Sequence, residues 1–302
     1  MSRFARRAAA LPLFCLAALL AAPAAAQVAD VPTSIQPDIA PGRGLGTTVT
    51  VNGSTYTVDG GTRAGANLFH SFADFSLGSA DRAAWVHSGG NPASIANVVN
   101  RVTGGNPSAI FGEIDSTAIP NADFYFINPA GIVFGLNATV NVPAAAHFST
   151  GSDLFFSNGD RFSIATPDGS TLSIAAPEAF GFVGTEQAIV VDNRSGGITS
   201  FNGNASLSAS DVGFLGAAVA AGGLTVAAVG AAPAFVAPNG AADRPLAGSV
   251  VAAGSFIGTS PDQAPGATGD IFINAGSFLS DSSIVTFAGA ASTGGNIVLL
   301  AQ

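Results

Sequence analysis

Between Asn97 and Gly135 the chain repeats one short pattern. An Asn-Pro pair stands just before an apolar pair and a glycine, first as NPSAIFG (Asn106–Gly112), then as NPAGIVFG (Asn128–Gly135). Asparagine turns a chain by bonding its side chain to nearby backbone, and proline does so by fixing φ. The run DFYFI at Asp123–Ile127 and the aliphatic residues after each turn favour strands. The spacing predicts strand, turn, strand, turn, strand, with glycine wherever the backbone bends hard. Such a rung commits the chain to stacked β-structure and has none of the marks of a catalytic loop.

A second repeat lies downstream. Gly196-Gly197-Ile198, Gly222-Gly223-Leu224, Gly248-Ser249-Val250, Gly269-Asp270-Ile271 and Gly295-Asn296-Ile297 share a Gly-small-aliphatic start, at intervals of 26, 26, 21 and 26 residues. A period of this length with one strand start per period predicts a β-solenoid, each strand bonded to the strand one turn above. A uniform period implies roughly ten coils in a rod of roughly 50 Å. Only Gly216–Ala232 and Ala288–Ala291 compete as helices, and glycines interrupt both. Inward positions must be apolar, so Phe124, Phe126, Phe134, Phe155, Phe156 and Phe162 are expected to stack down the interior. Asn52-Gly53, inside the alternating run Thr48–Val58, predicts a hairpin near the start.

The first 26 residues read as an export signal: basic Arg3, Arg6 and Arg7, an apolar run Ala8–Leu20, then Ala24-Ala25-Ala26 before Gln27, with cleavage expected after Ala26. The single cysteine, Cys15, falls inside it, so the exported chain has no disulfide and no thiolate metal site. Lysine is absent and the net charge is −9, which argues against a nucleic-acid partner. The C-terminal run Ile297–Leu300 is apolar and uncharged. It is expected to be an aggregation-prone edge, and to imply either a chain that continues beyond Gln302 or a truncated frame.

No residues assemble into an expected catalytic, cofactor or metal site. His70, His87 and His147 are dispersed and lack metal-ligand spacing. Glu113 and Asp115 share a strand face, and Asp153 and Asp160 flank a turn, but no His/Arg constellation accompanies them as acid–base chemistry would require. Ser149 lies two residues from His147 without an orienting third group. Gly42–Gly46 is glycine-rich without a following helix pattern and reads as a flexible lead.

Taken in order, GTRAGANLFHSFADFSL from Gly61, the two turn motifs, AAHFSTGSDLFFSNGDRFSI and PEAFGF at Pro177–Phe182 resemble the N-terminal two-partner secretion (TPS) domain of filamentous-haemagglutinin-type exoproteins. Asn128–Ile132 matches that family's NP(N/A)GI turn. Asn91-Pro92-Ala93-Ser94 stands where an NPNL turn often occurs; it keeps the Asn-Pro and loses the rest. The resemblance implies an all-β chain, a right-handed parallel β-helix (pectin-lyase-like) with an N-terminal cap. Together with the signal and the downstream repeat, it divides the chain into a signal peptide at 1–26, a cap at 27–60, a TPS core at 61–182 and solenoid repeats at 183–302. It makes His70 a packing or turn-bonding residue. It implies export by the Sec translocon and then recognition by the periplasmic polypeptide-transport-associated domains of an outer-membrane β-barrel transporter. Asn91, Pro92, Asn128, Pro129 and Gly131 are the candidate recognition residues. The expected product is a non-enzymatic, secreted or surface adhesin-like exoprotein of a Gram-negative bacterium, open to a ligand on a host or neighbouring cell. The alternatives are a β-helical polysaccharide-active enzyme, or the N-terminal fragment of a larger adhesin or toxin.

Overall fold

The computed structural model describes residues 28–260, 268–287 and 295–301. The expected signal at Met1–Ala26, the helix candidate at Ala288–Ala291 and Gln302 lie outside the described residues. The chain is a parallel β-helix with three faces. The first face stacks Asn67–Ser76, Asn97–Val102, Asp123–Ile127 and Ala146–Ser149, then the second halves of the long strands Ile198–Ala209 and Ala218–Ala228, then Ile271–Ala275 and Ile297–Ala301. The second face runs from Ser108–Ile110 through Ile132–Phe134, Ile189–Asp192, Val212–Leu215 and Ser249–Ala253 to Ser277–Ser280. The third begins at Thr55–Gly60 and ends at Ser283–Thr286.

The two turn motifs form consecutive coils. Ser108, Ala109 and Ile110 pair in register with Ile132, Val133 and Phe134. The glycine that ends the second motif has a packing reason: a Cβ on Gly135 would lie 2.1 Å from the Phe111 ring. Below the stack, Thr47–Asn52 and Thr55–Gly60 form an antiparallel hairpin, but its two-residue turn is Gly53-Ser54, one residue past the expected Asn-Gly pair, with Asn52 still paired to Thr55. Thr62–Ala64 and Ser34–Pro37 lie antiparallel along the lower edge of Asn67–Ser76, so that edge exposes little unpaired backbone. Gly42–Gly46 is not a loose lead. The Arg43 guanidinium meets Asp38 at 3.0 Å, and the Arg43 carbonyl accepts from Arg101 at 2.8 Å.

The interior changes along its length. The lower coils are filled by rings: Phe75 on Phe126 and Trp85 on Phe124, both at 4.9 Å, and Phe134 on Phe148, also at 4.9 Å. Higher up, Leu224, Val226, Ile257, Ile271 and Ile273 take over. Of the six phenylalanines expected inside, Phe124, Phe126 and Phe134 are there. Phe156 and Phe162 belong to a second core, and Phe155 points away from both to meet Phe235 at 5.0 Å. The reason is an excursion. After Ser149 the chain leaves the coil and builds an antiparallel sheet from Asp153–Phe156, Arg161–Ser163 and Pro177–Phe182, later joined by Ala234–Val236. This outer sheet covers the outward side of the first face and traps Phe69, Val99, Tyr125, Leu154 and Phe180.

The excursions also disturb the expected period. Leu224, Ile271 and Ile297 do stack in one column. Ile198 instead stacks on Ala218 of the third face, and Val250 stacks on Val212 of the second. Residues spent on excursions leave fewer coils than a uniform period implies. Gly216–Ala232 is not helical; Ala218–Ala228 is a strand spanning two faces.

Candidate functional site

Asn128 follows the strand Asp123–Ile127 at the corner between the first and second faces. Its side chain is fully buried and fully used. Nδ2 donates to the Asn106 carbonyl and to Ser108 Oγ, both at 2.9 Å, in the coil below. Oδ1 accepts from the Ala130 amide at 3.0 Å, closing the turn. Its backbone amide reaches up to the Ser149 carbonyl at 3.0 Å, and the Pro129 carbonyl accepts from Gln187 at 3.0 Å. Gly131 has φ +112°, and a Cβ there would lie 3.3 Å from the Ala188 carbonyl. The corner therefore ties three successive coils.

Asn91 and Pro92 sit at the opposite end of the same face, before Asn97–Val102. Asn91 caps a single 3-10 turn, Pro92–Ser94, by accepting from the Ala93 amide at 3.0 Å; its carbonyl accepts from Ser94 Oγ at 2.6 Å. These bonds are local, and Asn91 is exposed. Register places Asn97 opposite Asp123 and Arg101 opposite Ile127, so the two Asn-Pro turns flank the face and do not meet.

The residues weighed for chemistry have structural partners. Arg82 bridges Glu113, at 3.5 Å, and Asp115, so this carboxylate pair is tied to a cation rather than to a substrate gap. Asp153 faces Arg161 at 3.7 Å. His70 is buried against Phe72 with Nδ1 3.3 Å from Thr47 Oγ1, and Thr47 belongs to the cap hairpin. Burial lowers its pKa to about 3, so it stays neutral in the fold. His147 shares the outward side of its strand with Ser149, yet its partner is Ser206 one coil above, at 2.8 Å from Nδ1. No group of three His, Cys, Asp or Glu among the described residues could hold a metal ion.

Three polar side chains that the sequence did not single out organise this region. Arg101 is buried, and among the described residues no carboxylate lies within salt-bridge distance of it, although Asp38 and Asp168 act on it from further off. It donates to Ser71 Oγ, the Ser163 carbonyl, Ser170 Oγ and the Arg43 carbonyl, and lies 4.5 Å above the Phe162 ring. Burial pulls its pKa down to about 10, which leaves it charged at neutral pH. Asn67 donates to the carbonyls of Ser173 and Ala175 and accepts from Asn97. The Glu186 carboxylate collects Ser152 Oγ and the amides of Val183, Gly184 and Thr185 where the excursion rejoins the coil. A hint existed for Arg101: it is a lone charge inside the otherwise uncharged NVVNRV run.

This arrangement has relatives. The profile of the TPS secretion domain family matches residues 37–299. No curated protein matches the chain. Among solved structures, the crystal structure of the HMW1 secretion domain from Haemophilus influenzae is similar at 18% identity with a TM-score of 0.47. That match covers 90% of this chain and 62% of the other, so this chain spans less than two thirds of that one. With the family profile covering most of its length, the protein belongs to the TPS secretion domain family.

Proposed function

We propose that this chain is the secretion module of a two-partner exoprotein. The Sec machinery delivers it unfolded to the periplasm, with cleavage after Ala26. The periplasmic domains of a dedicated outer-membrane β-barrel transporter then recognise it, and it folds outside the cell coil upon coil. The observation that carries this reading is the Asn128 corner, where one side chain and its neighbours bond to the coils below and above. Such a corner becomes satisfied only as neighbouring coils arrive, which suits nearest-neighbour growth of a solenoid. Recognition falls on the unfolded chain, where a strand can add to a sheet edge of the transporter. In the folded domain Asn128 is out of reach, whereas Asn91 stays at the surface.

The test is co-expression with the partner transporter. Asn91→Ala and Pro92→Ala are expected to lower the secreted fraction several-fold while shifting the denaturation midpoint of the purified domain only slightly. Asn128, Pro129 and Gly131 are expected to affect both quantities. If secretion is untouched by the first pair and tracks stability for the others, the Asn-Pro turns are corners of the coil and nothing more.

A further inference from the structure

The outer sheet covers only part of the first face. Beside it, a groove of about 450 Å³ runs across the coils. Its floor is the column His147–Ser206–Thr225–Phe272, one residue per coil. Asp123 and Asp270 line it from a neighbouring column, and the Pro238-Asn239 turn walls it. That turn is held in place where Asn274 Nδ2 donates to the Gly240 carbonyl at 3.0 Å.

His147 is the informative residue. It is 9% exposed, its Nδ1 is satisfied by Ser206 at 2.8 Å, and its ring lies 4.6 Å from that of Tyr125. Among the described residues Nε2 has no hydrogen-bond partner. Asp123 is similar: Oδ1 accepts from the Ala145 amide at 3.0 Å, and Oδ2 has no partner. A buried imidazole with one nitrogen fixed and the other free presents a directed acceptor, provided the proton sits on Nδ1 and is given to Ser206 Oγ. The Ser206 hydroxyl proton is then free to be donated.

The lining restricts what can bind. It contains no arginine, so nothing balances an anion, and Asp123 and Asp270 repel one. No three-ligand metal group exists among the described residues. The floor strands are already paired on both edges, so a peptide cannot add as a strand. The lining is rich in hydroxyl, amide, imidazole and carboxylate groups, which does not suit a lipid. Acceptors and hydroxyls recur once per coil, at about 4.8 Å, beside the half-buried ring of Phe272, whose edge lies against the Gly240 turn. We infer that this groove binds a neutral saccharide chain lying along the stack. Sugar hydroxyls donate to His147 Nε2 and the Asp123 carboxylate and accept from Ser206 and Thr225, while a ring face packs on Phe272. This inference is independent of the secretion reading.

The experiment is isothermal titration of the purified chain with maltohexaose, cellohexaose, xylohexaose and chitohexaose, with spermidine and polygalacturonate as charged probes. At least one neutral oligosaccharide is expected to bind with a Kd below about 1 mM. His147→Gln should weaken that binding about ten-fold. Thr225→Trp, at a half-buried position beside the Gly240 turn, should fill the groove and abolish binding in the folded protein. If one variant fails to fold, the other decides. The inference is overturned if no neutral oligosaccharide binds, if only spermidine or polygalacturonate binds, or if binding survives in a folded Thr225→Trp protein.

Discussion

The Asn91-Pro92 and Asn128-Pro129 corners of the first face use the same dipeptide for different ends. Asn91 closes its own short turn and reaches no further, so its strand would begin in the same place without it. Asn128 closes a turn and also bonds to the coil below, while the chain around it bonds to the coils above. A dipeptide that turns the chain says nothing about how many coils depend on the turn. Burial makes that distinction: Asn91 is exposed, and Asn128 is sealed.

Acid should spare both corners and attack the faces between them. An unfolded histidine ionises near pH ~6.5. Burial lowers His70 to about 3, with Asp59 opposing and His87 adding to the effect, and burial lowers His147 to about 4. The unfolded chain therefore binds more protons than the folded one below about pH 6.5, and stability falls from there towards pH ~4. Between pH ~7.5 and ~4.5 the loss should be about 5 kcal/mol for the two groups together. Denaturant titrations across this range, repeated on His70→Gln and His147→Gln, check it. A flat wild-type profile would refute the assignment of both imidazoles as buried and neutral.

The next effect is at the sealed corner. Asn128→Leu strands the Asn106 carbonyl, Ser108 Oγ and the Ala130 amide, and should cost about 3 kcal/mol. Sequence alone favours Asn128 as the residue that would separate secretion from stability. Its burial shifts that role to Asn91 and Pro92. Gly131→Ala, at φ +112° with the Ala188 carbonyl close by, should cost about 2 kcal/mol. Asn91→Ala removes one exposed cap bond and should cost only about 0.5–1 kcal/mol. Urea midpoints rank the three; the contrast fails if Asn91→Ala is as damaging as Asn128→Leu.

The stacked rungs were legible because NPSAIFG and NPAGIVFG place turn, strand and glycine in the same order, and that order is what register preserves. The first hairpin was legible from turn chemistry, although the turn uses Gly53-Ser54 and leaves Asn52 in the strand. The second core was not. Phe155, Phe156 and Phe162 have the composition of interior residues, and nothing local marks the point after Ser149 where the chain leaves the coil. The Gly-small-aliphatic period misled for the same reason. Equal spacing along the chain gives equal places in the coil only when no residues are spent elsewhere, and Val250 comes after an excursion that contributes Ala234–Val236 to the outer sheet. At the site, the turns were visible, but burial was not. Sequence could not tell that one asparagine is sealed and the other exposed, or that Arg101 would be paired with carbonyls from distant segments.

The contacts of Asn67 and Arg101 have a consequence for timing. Both belong to the lowest coils, yet Asn67 bonds to the carbonyls of Ser173 and Ala175, and Arg101 to Ser163 and Ser170. A chain emerging N-terminus first would present Asn67 and Arg101 long before those partners. Until they arrive, the first coils can hold their shape but keep polar side chains waiting in what will become a dry layer. On the proposed secretion reading, the foundation of the stack would be laid first and locked late: a pause in emergence before about Ser173 should leave the base reversible, and the arrival of Ala175 should make it less so.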